Sequence, residues 1–291
     1  MRVQIIGKSK LWLGISVILT VIALVSIFAK GLNLGIDFTG GSLFEIKFQK
    51  PVTLEGINPT LDEIAKDIPQ FASESRIAQV DESGVLILRT QELKEEQKTK
   101  VLEVLKTYGN YEVLKAEKVG ATVGKELATG ALLALVVGSL LIVAYVSFRF
   151  ELRFALGGII ALLHDVLIAI GAVALLGYEV NSSFIAAVLT ILAYSLNDTI
   201  IVYDRIRENI KKHKGLTLEE QIDNSVNEVM VRSFITSATV LFSIIALILF
   251  GGATLKTFMV ALLVGVSVGT YSSVFVASPI VYLLDGKLKK K

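Results

Sequence analysis

The sequence has no cysteine, and it contains only two histidines among its 291 residues. The absence of cysteine excludes disulfides, thiolate metal sites and cysteine nucleophiles. The two histidines, His164 and His213, lie far apart, and no H-E-x-x-H pattern or similar metal-binding spacing is present. The net charge is only +2, so nothing indicates a nucleic-acid partner. We therefore expect no metal ion, no bound cofactor and no nucleic acid.

Apolar residues are abundant, at 53% of the chain, and the mean hydropathy is +0.66. They gather into runs of roughly 20 residues, the length that crosses a hydrocarbon core of about 30 Å as a helix. The first run is longer than the core of a signal peptide and no clear cleavage site follows it, so we expect a retained span. Six transmembrane helices are predicted, at about 11–29, 127–148, 154–176, 181–203, 232–250 and 258–284.

The Lys and Arg residues of the short loops lie almost entirely on one side of these spans. That side holds fourteen of them, whereas the other holds only Lys256. Cytoplasmic loops of membrane proteins carry such an excess, which predicts a multi-pass protein of the cell membrane with both termini in the cytoplasm. The fourteen residues are Arg2, Lys8, Lys10, Arg149, Arg153, Arg205, Arg207, Lys211, Lys212, Lys214, Lys287, Lys289, Lys290 and Lys291.

The segment 30–125 between the first two spans is charged, with mixed sign, and falls on the extracytoplasmic side. Its periodicity predicts the order β-α-β-β-α-β, which is the ferredoxin-like arrangement. The predicted strands are 42–48, 76–80, 85–89 and 111–119, and the predicted helices are 60–68, opened by Asn58-Pro59, and 93–108. The predicted fold class is an all-α membrane bundle of six helices with an inserted extracytoplasmic α+β domain.

The remaining parts of the chain belong to the membrane and the cytoplasm. Residues 1–29 form the cytoplasmic N-terminus and the first span, 126–284 hold the other five spans, and 285–291 form a basic cytoplasmic tail. Within the cytoplasmic stretch 204–231, Thr217 and Glu220 resemble a capping box. The apolar residues that follow at helical spacing fit an amphipathic helix on the membrane surface or an ordinary helical connector.

Charged side chains inside the spans are the strongest functional indication. Insertion scales assign such a group a cost of about 2.5–3.5 kcal/mol at the helix centre, so it needs a reason or a partner. Asp198 lies in the cytoplasmic half of the fourth span, beside Asn197 and Thr199. A desolvated carboxylate there could load and release protons, or it could make a structural hydrogen bond between helices. Arg232 starts the fifth span, with Thr236 one turn on, and could pair with Asp198 or extend to the interface.

Two further groups of residues remain open to a structural or a functional interpretation. His164 and Asp165 lie near the middle of the third span, where they would act as a proton relay or as structural groups. The charged stretch 204–209 follows the fourth span and by itself indicates a solvated helix end; it contains Asp204, Arg205, Arg207, Glu208 and Asn209. Small residues repeat every four positions in the second and last spans, which favours close helix packing; they are Gly130, Ala134, Gly138, Gly265, Gly269, Ser273 and Ala277.

Five stretches of the chain form a recognisable set, at 35–41, 119–127, 164–165, 197–209 and 232–237. In this order, over nearly the whole chain, they resemble the SecF proteins of the SecD/SecF family of protein-export membrane proteins, which belongs to the RND-type superfamily. The chain departs from the family pattern at Ala121, where proline is expected, and at Ala193, where glycine is common.

The resemblance implies a non-enzymatic accessory subunit of the Sec translocase that draws on the proton-motive force late in export. The implied partners are SecD, the translocon channel, a YajC-like subunit as a further candidate, the exported polypeptide and the lipid bilayer. It also implies that Asp198 is the proton-linked carboxylate and Arg232 its basic counterpart. Supporting polar roles would fall to Asn197, Thr199, His164, Asp165 and Thr236, and a hinge motif at the domain base to Asp37, Phe38, Thr39, Gly40 and Gly41.

Two other functions remain as alternatives. A proton-driven RND-type exporter of small molecules or lipids would share the architecture, but such pumps usually combine two six-span halves, and this chain has one and no internal repeat. A non-transporting scaffold would use Asp198 and Arg232 only as a structural pair. The resemblance implies the proton gradient as the energy source, and the lack of a phosphate-binding loop fits that expectation.

Overall fold

The structure is a computed structural model that describes residues 3–81, 83–251 and 255–288, with side chains described as far as residue 285. Its internal contacts divide the chain into a helical unit, made of Met1–Asn33 and Leu133–Lys291, and a second unit, Leu34–Leu132. Arg2 and the three lysines at 289–291, which were counted among the basic residues of the short loops, lie outside the described residues. The basic cytoplasmic tail therefore stays a prediction.

The described residues contain six helices that are long and apolar enough to cross a membrane, which confirms the predicted six-span architecture. The six spans are α1 (Ser9–Lys30), α5 (Ala121–Arg149), α6 (Leu152–Leu176), α7 (Ser182–Lys212), α8 (Leu218–Phe250) and a last span built from α9 (Lys256–Ser272), a π-helical turn (Ser273–Ala277) and α10 (Ser278–Leu288). In the most apolar stretches of α6 and α7, 50% of the residues are buried, whereas only 6% are buried in that of α5.

The π-helical turn in the last span has a local cause in the sequence. Pro279 has no backbone N–H, so it cannot donate the helical bond to the carbonyl of Phe275 four residues earlier. The wider turn directly before Pro279 accommodates this loss, and such turns are frequent at functional positions of helices. The turn immediately follows Ser272, which bonds to a buried carboxylate of α6.

The structure corrects the interpretation of segment 204–231 as a helix lying on the membrane surface. α8 is one uninterrupted helix of 33 residues, so the amphipathic stretch continues the fifth span. Its apolar face is covered by protein, because Ile222 and Val226 are fully buried in a cluster that includes Ile5 and residues of α7. The capping box is confirmed, since the side chain of Thr217 accepts from the backbone N–H of Glu220 and the reciprocal bond is also formed.

The second unit has the predicted order and sheet. Its four strands pair only in antiparallel fashion, in the order β3-β4-β2-β5, as the ferredoxin-like arrangement requires. The elements are β2 (Gly41–Phe48), α3 (Leu54–Asp67), β3 (Ile77–Val80), β4 (Val85–Thr90), α4 (Glu95–Tyr108) and β5 (Tyr111–Val119). Shorter elements are β1 (Asn33–Leu34), α2 (Ile36–Thr39), a 3₁₀ turn (Pro69–Phe71) and β6 (Glu179–Val180), of which β6 belongs to the helical unit.

The prediction that Asn58-Pro59 opens the first helix of this unit is wrong. α3 begins at Leu54, after Thr53, whose side chain accepts a hydrogen bond of 3.2 Å from the N–H of Gly56. Pro59 therefore lies inside the second turn of α3, where it is exposed. The signal missed in the sequence is the capping threonine, a residue type strongly preferred at helix starts.

The core of the second unit provides a test of its fold. Ile57 of α3 is fully buried, and truncation to alanine leaves a cavity, so Ile57→Ala should destabilise the unit by about 2–5 kcal/mol. Leu54→Ala on the same helix is the control, since Leu54 is 38% exposed and should change stability by about 0.5 kcal/mol or less. Hydrogen–deuterium exchange of the β2 amides in the full chain measures the difference. Equal exchange in the two variants would contradict the packing described here.

Candidate functional site

A fully buried carboxylate, Asp165 of α6, lies at the centre of the helical unit. Its Oδ2 accepts hydrogen bonds from the hydroxyls of Ser195 on α7, at 2.5 Å, and Ser272 on α9, at 2.6 Å. Its Oδ1 lies 2.9 Å from Nδ1 of His164, so these two neighbours do touch. An ionised carboxylate accepts bonds only, and three donors from three helices are available to it here. Asp165 therefore links α6 to both α7 and α9.

Small residues on α9 allow α7 and α9 to lie close enough for both serine hydroxyls to reach Asp165. A Cβ atom at Gly269 would lie 3.0 Å from Cβ of Ser195, and one at Gly265 would collide with the side chain of Ile191. Close approach at glycine is how membrane helices gain packing contacts, and it brings the hydroxyls of α7 and α9 to the same point. The predicted close-packing face of the last span is thus confirmed. Gly130 of the second span, in contrast, has open space around it.

A second buried carboxylate, Asp198 of α7, is 3% exposed and accepts a hydrogen bond of 3.4 Å from the hydroxyl of Ser237 on α8. The Ser237 oxygen in turn accepts from Thr270 of α9 at 2.6 Å and from the hydroxyl of Tyr194 at 3.3 Å. In the part of the chain that the structure describes, neither Asp165 nor Asp198 forms an ion pair with Lys or Arg. Both carboxylates are thus held by hydroxyl groups.

Arg232 does not pair with Asp198 in the structure, which was one of the two possibilities that the sequence left open. Arg232 and Thr236 are exposed, and the Thr236 hydroxyl bonds back to the carbonyl of Arg232 at 2.9 Å. The reason is the helical period, because Ser233 and Ser237, one residue further on, occupy the face of α8 that turns inward. The signal available in the sequence was the pair Ser233 and Ser237, which stand four residues apart and directly follow Arg232 and Thr236.

The two neighbours of Asp198 have different environments. Asn197 is exposed and does not join the buried cluster, although it was expected to support it. Thr199 is 1% exposed, and its hydroxyl has no hydrogen-bond partner among the described residues. Ser233, likewise buried, places a second hydroxyl of α8 beside Asp198. Hydroxyls therefore lie beside Asp198 on both helices that meet there.

The charged stretch 204–209 is more than a solvated helix end. Asn209 is 2% exposed, and its amide donates to the hydroxyl of Ser225 at 3.0 Å and to Glu228 at 3.1 Å. Arg205 also pairs with Glu228, so two residues of the motif join α7 to the first half of α8. The stretch thus joins the adjacent ends of two spans.

The other charged residues of this stretch make pairs at its surface. Asp204 lies 3.5 Å from Arg149 and 3.7 Å from Arg207, while Glu208 lies 2.5 Å from Lys212. These side chains are partly exposed, and such pairs typically contribute about 0–1 kcal/mol. They position the helix ends without adding much stability.

Several contacts of the helical unit have no signal in the sequence. Arg153 at the start of α6 pairs with Asp285 of α10, which is 132 positions away. The N-terminal segment bonds to α8, where Asp223 accepts from the N–H groups of Ile5 and Ile6 at 3.1 and 3.0 Å. Partners so distant along the chain become visible only once the helices are assembled.

The motif 37–41 forms a tight turn within the second unit. Asp37 and Phe38 are half-buried in α2, and Thr39 donates to the carbonyl of residue 35 at 3.1 Å. Gly40 has φ +72°, and a Cβ atom there would lie 3.0 Å from Cα of Ala121 at the start of α5. Gly41 has φ +130°, and its Cβ would collide with the backbone oxygen of Thr90. Both glycines are therefore required for backbone reasons.

Together these features define a polytopic membrane protein whose helix bundle buries acidic groups and whose second unit is a small α+β domain. The family model described as "Protein export membrane protein SecD/SecF, C-terminal" matches residues 98–287, and that of the "SecD/SecF GG Motif" matches residues 25–52. The chain belongs to the SecD/SecF family.

Relatives support this assignment. The protein translocase subunit SecF of Sebaldella termitidis is 49% identical over 286 residues, covering 98% of this chain and 92% of the relative. That of Calditerrivibrio nitroreducens is 37% identical over 298 residues, covering 99% and 96%. The crystal structure of SecDF, a translocon-associated membrane protein from Thermus thermophilus, matches with a TM-score of 0.90 and 36% identity. This chain is covered to 98% by the match but spans only 39% of that SecDF chain.

The turn at Gly41 generates a prediction with a matched control. Gly41→Ala and Gly84→Ala both place a side chain at positive φ, which costs about 1–2 kcal/mol. Only Gly41→Ala also collides with backbone, since nothing lies within 4 Å of the Cβ position at Gly84. We expect Gly41→Ala to destabilise the second unit by about 1–3 kcal/mol more than Gly84→Ala, seen as faster proteolysis within 34–132 of the full chain. Equal cleavage of both variants would contradict the geometry of the turn.

Proposed function

We propose that this chain acts as a SecF-type subunit of the Sec protein translocase and couples proton movement to protein export. The observation that carries the proposal is the pair of buried carboxylates, Asp165 and Asp198, which only hydroxyls and one imidazole contact in the described residues. Relatives that cover nearly the whole chain bear the name protein translocase subunit SecF, which supports export over the transport of small molecules.

The free energy that a proton gains in crossing the membrane is similar in size to that of a hydrogen bond to a buried carboxylate. A hydrogen bond to a charged group contributes about 1.5–3 kcal/mol, and an unpaired buried charge costs several kcal/mol. A proton that crosses about 100 mV supplies roughly 2.3 kcal/mol. Gain or loss of one proton at a buried carboxylate therefore changes the helix contacts by about as much as the gradient can provide.

Asp198 is the group for which protonation most directly changes a helix contact. When ionised, it accepts a bond from Ser237 of α8. When protonated, it also becomes a donor, and the neutral carboxyl group accepts the bond from Ser237 less strongly than the carboxylate does. Because Ser237 also binds Thr270 of α9, the exchange alters the contacts of α7, α8 and α9 together. α8 is continuous to Leu218, so a shift there reaches the cytoplasmic ends of the spans.

We also propose that a SecD subunit completes the site. The chain spans 39% of the SecDF chain that it resembles, which supports a partner of related architecture. Arg232 is exposed on α8, and the apolar stretch of α5 is almost unburied, so both are available to such a partner. The Lys and Arg bias of the loops supports cytoplasmic termini. The second unit would then meet exported polypeptide outside the membrane.

The decisive experiment uses Asp198→Asn, with SecD and the translocon reconstituted beside this chain. We expect the proton-gradient-dependent part of export to fall at least about tenfold, because asparagine keeps the size but cannot exchange a proton. Glu74→Gln is the control, since Glu74 is an exposed carboxylate of the second unit and should change little. Export by Asp198→Asn at the wild-type rate would contradict the proposal.

A double variant separates this function from a scaffold. If Asp198 and Arg232 served only as a structural pair, Asp198→Asn combined with Arg232→Gln would restore export. The proposal predicts that the double variant stays as defective as Asp198→Asn, because the exchangeable proton is still missing. The measurement is again the gradient-dependent export rate.

A further inference from the structure

We propose that His164 and Asp165 together form a second proton-binding site, in which the proton adds to and leaves from Nε2 of His164. His164 is 7% exposed and Asp165 is 0% exposed, so both lie in the interior of the helical unit. For its part in export the inference depends on the proposed function, whereas proton binding itself can be tested alone.

The hydrogen bonds of the pair fix which nitrogen is free. Nδ1 of His164 lies 2.9 Å from Oδ1 of Asp165, and the other carboxylate oxygen accepts from Ser195 and Ser272. With three donors, the ionised form of Asp165 is fully satisfied, and Nδ1 carries the hydrogen that it donates. Nε2 of His164 is buried and has no hydrogen-bond partner in the described residues. Its lone pair is therefore the open position.

Adding a proton at this nitrogen neutralises the buried pair. Before the addition, neutral His164 and ionised Asp165 carry one net negative charge, and afterwards the imidazolium and the carboxylate carry none. An unpaired charge away from water costs several kcal/mol, and an adjacent opposite charge removes most of that cost. One proton enters from water and occupies Nε2, no other bond breaks, and the same proton leaves on release. A structural histidine would instead have both nitrogens satisfied.

The helices packed around the pair contribute few other charges. α7 contributes Asp198, one turn from Ser195, and α10 contributes Asp285, which is held by Arg153. α1 and α9 contain charged residues only at their ends, at Lys10, Lys30 and Lys256. Within the described residues, Asp165 is thus the only charged group that contacts His164.

The packing of α6 shows which neighbouring helix His164 lies beside. Gly171, two turns beyond His164 on the same face, packs against Ala23 of α1. Seven residues before Ala23, Ser16 of α1 is buried and donates to the hydroxyl of Tyr271 at 3.2 Å. His164 therefore lies on the α1 side of α6, toward the hydroxyls of Ser16 and Tyr271.

The sequence makes a direct test possible, because the chain contains only two histidines. Selective ¹⁵N-histidine labelling of the full chain in lipid nanodiscs gives two imidazole signals, and exposed His213 provides a reference in the same spectra. His164→Gln assigns the signal by its loss. We expect His164 to carry a hydrogen on Nδ1 at high pH and to gain a second on Nε2 when the pH is lowered across the range in which the protein stays folded. If Nε2 stays unprotonated, or carries its proton unchanged, over that range in the wild-type chain, the proposal is overturned.

A variant then tests the role of the carboxylate. In Asp165→Asn the stabilising negative charge is lost, so a smaller fraction of His164 should carry the second proton at any given pH. An unshifted titration would overturn the pairing. If this variant does not fold, the wild-type titration alone still decides whether the site binds a proton.

The link to export has its own readout. His164→Gln still donates to Asp165 but cannot be charged, so gradient-dependent export should lose its change with pH over the range in which His164 titrates. An unaltered pH profile would show a purely structural role and overturn the functional part. Failure of the proposed function would be seen separately, as full export activity of Asp198→Asn. The nitrogen signals of His164 test proton binding whether or not export depends on it.

Discussion

The constraint on which the helical unit depends is the cost of a carboxylate that has been removed from water. Asp165 is completely buried, and serine hydroxyls from two other helices and a neighbouring imidazole compensate for its charge. The two serine bonds require α6, α7 and α9 to stand at one distance and one rotation. Glycines on α9 allow that distance. The proposed proton-binding groups therefore belong to the same hydrogen-bonded clusters that hold the bundle together, which is why packing and function share residues here.

Hydroxyl partners give these carboxylates a property that arginine or lysine partners would not. A hydroxyl can donate or accept, so Ser237 can adapt to either protonation state of Asp198, whereas a cation would favour the ionised state strongly. In the helical unit, the ion pairs described lie elsewhere, at the ends of the helices, where Arg205 and Asn209 join α7 to α8 through Glu228. The bundle thus combines fixed ion pairs at its ends with adaptable hydrogen bonds in its interior.

Much of this architecture could be predicted from the sequence, because its determinants are local. Runs of apolar residues indicate spans, and the order of strands and helices in the second unit follows from periodicity. The start of α3 was missed because Thr53 is a weaker signal than Pro59. The partner of Asp198 was missed for a different reason. Arg232 is exposed whereas the next residue, Ser233, is buried, so the rotation of α8 about its axis decides which of them faces inward. The sequence pattern does not determine that rotation to within one residue. The acceptors of Ser195 and Ser272 depend on contacts between distant helices and could not be found locally.

The central claim is that a carboxyl group inside the bundle exists in two protonation states and exchanges between them. Infrared difference spectroscopy of the full chain in lipid, recorded between high and low pH, measures this directly through the carbonyl stretch of a protonated carboxyl group. The account predicts that one component of this band appears as the pH falls, and that Asp198→Asn removes that component while Glu74→Gln leaves it in place. A spectrum without a protonated buried carboxyl, identical in wild-type protein and Asp198→Asn, would contradict the account.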